Sequence, residues 1–174
     1  MRAKIQTLIV VIVYFCNAPL AFCQTNPNGL AISAEASLLT STNEPKLFLM
    51  IHLVNTTNHA ITVLTKNLNW SFNGNPNSDG KPTLECNLGY SGVITHEGHQ
   101  IVPALGDFSP VTLRPNEAAV ITYELERSRR LKQITAESPI TVKYEISPDW
   151  AGRFALWNGS VTTKPFNASV RKTR

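Results

Sequence analysis

Four residues, His96-Glu97-Gly98-His99, carry the densest potential chemistry in this 174-residue chain. Two imidazoles flanking a carboxylate are the ingredients of a zinc-bound water and its general base. The helical zinc-protease motif H-E-x-x-H places its histidines at i and i+4, on one helix face, with the glutamate beside the metal-bound water. Here the histidines are only three positions apart. On a single strand an odd separation sends side chains to opposite faces. Ile94-Thr95 precede the group and Gln100-Ile101-Val102 follow it, while Gly98 favours a turn. The expectation is a β-hairpin whose tip is His96-Glu97-Gly98-His99. A metal there needs a further ligand, with Asp107 and His59 as the available types. The pattern is read as a solvated turn, with His96 and His99 the metal candidates and no cofactor assigned.

Other catalytic patterns are missing. Ser and Thr are abundant, but no G-x-S-x-G elbow and no phosphate-cradling glycine motif occurs. Cys86, in Leu84-Glu85-Cys86-Asn87-Leu88, has a strand-like context and reads as a buried structural thiol. The acids Glu97, Asp107, Glu117 and Asp149 are scattered without paired spacing. The expectation is a protein that is not an enzyme.

Residues that could bind a partner are easier to find. Between Leu47, Leu49, Ile51 and Leu53 stand Phe48, Met50, His52 and Val54, so both faces of that strand are largely apolar. Either loops cover a central strand, or the second face is a partner site. Trp150, Phe154 and Trp157 cluster late in the chain, and Trp150, after Pro148-Asp149, is expected to be exposed in a turn. Arg127, Arg129, Arg130 and Lys132 form a basic run, and Arg171, Lys172 and Arg174 a basic tail. These read as solvated segments, or as a docking face for an acidic partner or an anionic envelope surface.

The elements that hold these residues read as strands. Leu30, Ile32, Ala34, Ala36 and Leu38 alternate with smaller or polar neighbours, as do Leu47 to Leu53. Strands are also expected over residues 60–65 and 68–72. Ala119, Ile121, Tyr123 and Leu125 form one inward set, and Ile140, Val142, Tyr144 and Ile146 another, with Thr141, Lys143 and Glu145 toward water. Phe154, Leu156 and Val161 are placed in the closing strands. Turns are expected at residues 55–58, 73–80, 114–117 and 147–152, and only residues 124–137 have helical character. The fold expected is an all-β, antiparallel, immunoglobulin-like β-sandwich of roughly seven to nine strands.

The order "LFLMIHLVNTTNHAITV", a polar loop, "GHQIVP", "LRPNEAAVITYEL" and "ITVKYEI" resembles a recurring plan. It is similar to immunoglobulin-like sandwiches of bacterial proteinase inhibitors, and to the N-terminal sandwich of deuterolysin-type metalloendopeptidases. The shared features are an N-x-[ST] turn at Asn55 and an L-x-P-x-E turn from Leu113 to Glu117, within residues 30–146. The second turn departs from the pattern at Asn116, where glycine is usual; asparagine tolerates the same left-handed backbone. The resemblance implies a sandwich and a binding role, and carries neither a catalytic nor an inhibitory residue onto this chain.

Residues 1–23 have the layout of a secretory leader: Arg2 and Lys4, an apolar stretch from Ile5 to Phe15, then Ala18-Pro19-Leu20-Ala21. Residues 24–174 are expected to form a single domain with a basic C-terminal tail, large enough for a real core. Loss of Arg2 and Lys4 lowers the formal charge from +4 to +2, too small an excess to argue for nucleic acid. No membrane-spanning segment is expected after processing. Leu20-Ala21-Phe22-Cys23 also resembles a lipoprotein signal, with Phe22 standing where a small residue is usual. Among three cysteines no disulfide framework can be read. Sequons at Asn55, Asn69, Asn158 and Asn167 matter only in a eukaryotic secretory pathway. The expected role is that of an exported, periplasmic or secreted, non-enzymatic binding protein of the cell envelope, an inhibitor or accessory module that holds another protein. The alternatives are a metal-binding hydrolase using His96 and His99, or a structural lipoprotein tethered through Cys23.

Intact-mass analysis of the exported protein should place the mature N-terminus between residues 19 and 25. A mass retaining Met1 contradicts the leader, and a diacylglycerol-sized increment on Cys23 identifies the lipoprotein.

Overall fold

The computed structural model describes residues 24–25, 28–40, 46–65, 69–73, 83–90, 94–96, 99–101, 109–125 and 134–172. Within them lie thirteen strands and one short helix, an all-β fold of several sheets that closes no barrel among the described residues. The strand count exceeds the seven to nine expected because several strands are only two to four residues long. The leader and the basic run at Arg127, Arg129 and Arg130 lie outside the described residues.

The first sheet is built on β2 (Leu30–Thr40), β3 (Lys46–Asn55) and β10 (Ala118–Leu125), with β3 in the middle. The other side of β2 is shared by β1 (Gln24–Thr25), opposite residues 31–32, and β13 (Ser169–Lys172), opposite residues 37–40. The second sheet runs β12 (Gly159–Thr162), β11 (Ile140–Ile146), β6 (Leu84–Tyr90), β5 (Asn69–Asn73). Two antiparallel pairs complete the set, β4 (Ile61–Leu64) with β9 (Pro110–Leu113) and the hairpin β7 (Ile94–His96) with β8 (His99–Ile101). The sheets are mixed rather than purely antiparallel. β13 runs parallel to β2, and β6 parallel to β11. Parallel neighbours need long crossovers, which sequence alternation does not register.

Period-two burial follows the apolar positions. Leu47, Leu49, Ile51 and Leu53 are buried on β3, and Ala119, Ile121, Tyr123 and Leu125 on β10. On β11, Ile140, Val142, Tyr144 and Ile146 are at most 1% exposed, while Thr141, Lys143 and Glu145 reach partial exposure. Residues of both larger sheets join one hydrophobic cluster, with Tyr144 its largest fully buried side chain. The Tyr144 hydroxyl crosses this core to β4, accepting from Leu64 N at 2.9 Å and donating to Leu64 O at 3.1 Å. A buried phenol is tolerated because both of its hydrogen-bonding roles are filled.

β3 and β10 continue into β4 and β9 as one bent antiparallel ribbon, and Asn55 marks the bend. Asn55 is fully buried. Its Nδ2 donates to His59 O at 2.7 Å and Leu113 O at 3.0 Å, and its Oδ1 accepts from Thr57 N at 2.8 Å and Thr57 Oγ1 at 2.7 Å. The Thr57 N–H bond is the asparagine turn that the N-x-[ST] sequence favours. Across the ribbon, Arg114-Pro115-Asn116-Glu117 closes a turn, Glu117 N to Arg114 O at 3.0 Å. Proline second and a positive φ third (64° at Asn116) are the type II pattern. Asn116 N then donates to Asn55 O, and Asn55 N to Glu117 O. Two residues thus oppose one, with the left-handed residue first, a G1 bulge in which asparagine replaces glycine.

One helix, α1 (Pro148–Phe154), occupies the segment expected to be a turn. Ser147 at the N-cap, Pro148 in the first turn and Asp149 beside it are helix-start signals. Residues 124–125, expected to open a helix, instead end β10, and residues 136–138 form a turn. Phe154 therefore ends the helix rather than lying in a closing strand, and Leu156 lies between α1 and β12, whereas Val161 is in β12.

Denaturant melts should rank three β11 variants and one corner variant. Val142→Ala should cost about 1–3 kcal/mol and Tyr144→Ala about 3–5. Lys143→Ala, on the other face, should cost less than about 0.5. Asn55→Ala strands the Leu113 carbonyl and the Thr57 N–H, while Thr57 Oγ1 and His59 O keep their own 2.7 Å bond, and should cost roughly 3 kcal/mol. A loss at Asn55 no larger than that at Lys143 contradicts the corner's role.

Candidate functional site

The outer face of the first sheet carries two of the binding residues read from sequence, Phe48 and Met50. Because β3 is central, its outward residues meet partners on both sides. Met50 lies opposite Glu35 and Thr122, Phe48 opposite Ser37 and Glu124, and His52 opposite Ser33 and Val120. Alternation puts Phe48, Met50, His52 and Val54 on the side away from the buried row. Met50 is 43% exposed, against 1% and 0% for its chain neighbours Leu49 and Ile51. Phe48, His52 and Val54 are half-buried. Lys46 Nζ lies 2.9 Å from Glu124 Oε1 beside Phe48, so the charge at that end of the row is paired. Burial pushes the His52 imidazole below its ordinary pKa, with Glu35 acting in the opposite sense.

Trp150 does not belong to this surface. It is 6% exposed, a correction to the expected exposed turn. Its ring packs 4.7 Å from Tyr90 and 5.7 Å from Phe154, centroid to centroid. The helix turns it inward, since α1 buries Trp150 and Ala151 together. Arg127, Arg129 and Arg130 lie outside the described residues.

The hairpin at His96 and His99 is present in the backbone. Ile94 pairs with Ile101, Thr95 with Gln100 and His96 with His99. Glu97, Gly98 and Asp107 lie outside the described residues. The cross-strand register sets the two histidines directly opposite each other, where the single-strand argument would separate them. His59 sits in the exposed turn after β3, its Nδ1 3.3 Å from Asn58 Oδ1. Among the described residues no three of His, Cys, Asp and Glu gather into a metal-binding group. Cys86 is a buried free thiol whose pKa burial pushes up to about 12, the opposite of an activated nucleophile.

Sequence reasoning missed an open cavity of about 460 Å³ beside the Asn55 corner. Asn28, Thr57, His59, Thr62, Trp157 and Asn158 contribute to its wall. Trp157 Nε1 donates to Asn28 O at 3.0 Å and Asn28 Nδ2 to Asn158 O at 2.9 Å, tying two segments distant in sequence into one rim. Next to Trp157, Ala155 caps α1 in the left-handed region at φ 52°. Apart from His59 this described lining carries no titratable side chain. Its asparagines and threonines can hydrogen-bond a neutral group, and no Lys, Arg, Asp or Glu is in the lining. The only hints in sequence were the amide-rich Asn28 and Asn158, distant along the chain.

The chain matches no family model, no curated protein sequence and no solved structure. Among the described residues no helix is long and apolar enough to cross a membrane.

His96→Ala together with His99→Ala should change stability by less than about 1 kcal/mol, as surface changes do. Zinc should leave the melting temperature of the parent unchanged, since a metal bound only to the folded state raises it. Stoichiometric metal in the purified protein contradicts the plain-hairpin reading.

Proposed function

We propose that this protein is an exported, non-enzymatic binding protein of the cell envelope, an immunoglobulin-like sandwich whose work is to hold another protein. The observation that carries this reading is the outward row of β3. A methionine 43% exposed in the middle of a central strand, in one row with Phe48, His52 and Val54, offers apolar area that a partner can cover. Methionine suits such a surface because its flexible thioether adapts to its neighbour. Glu35 and the Lys46–Glu124 pair form a polar border, the usual arrangement around an apolar contact. The resemblance of the Asn55 and Leu113–Glu117 turns to those of bacterial proteinase inhibitors adds weight to an inhibitor or accessory role. The leader-like residues 1–23 support export to the periplasm or beyond.

A photo-crosslinking residue at Met50 should yield one discrete adduct in the native envelope fraction. Met50→Asp should abolish capture by the parent surface at a stability cost of about 1 kcal/mol, because it sets a second carboxylate opposite Glu35. Undiminished capture by Met50→Asp contradicts this face as the contact, and substrate turnover by the purified chain contradicts the non-enzymatic reading.

A further inference from the structure

β10 presents the longest one-sided strand among the described residues. Each of its eight residues is registered with β3, from Ala118 opposite Val54 to Leu125 opposite Leu47, and no described strand pairs with its other side. Natural edges are blunted by short length, proline, lysine or bulges. The other one-sided strands follow that rule. β4, β9, β12 and β13 have four residues each, β9 opens with Pro110, β13 contains Arg171 and Lys172, and β5 has five residues. β10 reads Ala-Ala-Val-Ile-Thr-Tyr-Glu-Leu, without proline, glycine, lysine or arginine. Its one charge, Glu124, is neutralised by Lys46 at 2.9 Å.

We propose that β10 pairs antiparallel with β10 of a second copy of this chain, about a twofold axis at Ile121, joining two first sheets into one continuous sheet. The hydrogen-bond phase allows this register. Asn55 N donates to Glu117 O, so the odd-numbered residue just before β10 turns its carbonyl toward β3. Alternation carries that phase to residues 119, 121, 123 and 125, and aims the N–H and C=O groups of residues 118, 120, 122 and 124 at the side with which no described strand pairs. A twofold at Ile121 pairs Val120 with Thr122 of the other copy and Ala118 with Glu124, so every new ladder bond joins outward-aimed groups. The side chains fit as well. Tyr123 meets Ala119, large against small, Ile121 meets itself, and no like charges face each other. A second copy is favoured over a foreign strand by this self-complementarity, which an isologous interface requires.

Sedimentation of the purified chain over a range of concentrations should show a monomer–dimer equilibrium. Thr122→Pro removes an edge N–H in each copy without touching the ladder to β3, and should weaken the dimer about a hundredfold. Thr122→Lys keeps the backbone donor and sets two lysines diagonally across the twofold. It should weaken the dimer about tenfold, with salt restoring part of the loss, and it tests the edge should the proline variant fail to fold. Ile121→Cys should form a covalent dimer under mild oxidation, because residue 121 meets its own symmetry mate in a close non-hydrogen-bonded pair. A parent monomeric at every accessible concentration overturns the proposal, as does a dimer that Thr122→Lys leaves intact. Cross-linking at Thr122→Cys in place of Ile121→Cys overturns the register.

Discussion

The side chain of Asn55 holds the joint on which the rest of the architecture turns. A two-stranded ribbon that changes direction must interrupt its ladder, and interrupted ladders leave backbone groups unpaired. One buried amide meets three of these groups, donating to the His59 carbonyl of the turn and the Leu113 carbonyl of β9 and accepting from Thr57 N, and it accepts from the Thr57 hydroxyl as well. The bulge at Asn116 and Glu117 is the other half of the same joint, bonded to the Asn55 main chain. With the joint fixed, β4 reaches the second sheet and receives the Tyr144 hydroxyl, and Thr62 O receives the Trp157 N–H at 2.7 Å. The core, the corner and the cavity rim are therefore mechanically connected. Full burial of Asn55, with both amide protons engaged, also removes one of the four sequons from any enzyme acting on the folded chain.

Strand positions and inward faces were legible because burial is local and periodic. The alternation at Leu47 to Leu53, Ala119 to Leu125 and Ile140 to Ile146 maps directly onto buried rows. The left-handed tolerance of Asn116 was legible for the same reason, since it depends on one residue and its turn. Pairing was not. Nothing in residues 84–90 or 140–146 states that the two strands run parallel. The close approach of their backbones at Gly89, where an added Cβ would collide with Glu145 O, is visible only in three dimensions. The short helix escaped notice because Ser147-Pro148-Asp149 serves equally as a turn and as a helix start, and packing of Trp150 against Tyr90 decides between them.

The candidate surface was half legible. The doubly apolar strand at residues 47–54 announced itself, but whether loops cover its second face is a tertiary fact, and Met50 answers it by standing open. Trp150 misled because an aromatic beside proline in a polar segment looks exposed until the helix turns it inward. The cavity beside Trp157 drew on residues some 130 positions apart, Asn28 and Asn158, beyond the reach of any local pattern.

The parallel pairing of β13 with β2 has a consequence for when the molecule can form. Ser169 lies opposite Ser37, their hydroxyls 3.1 Å apart across a sequence separation of 132 residues. Contacts this distant close slowly, because the loop entropy is lost before the contact is gained. The first sheet cannot be completed until residue 172 has been synthesised. Until residues 169–172 emerge, a nascent chain carries the stretch of β2 at residues 37–40 without this neighbour.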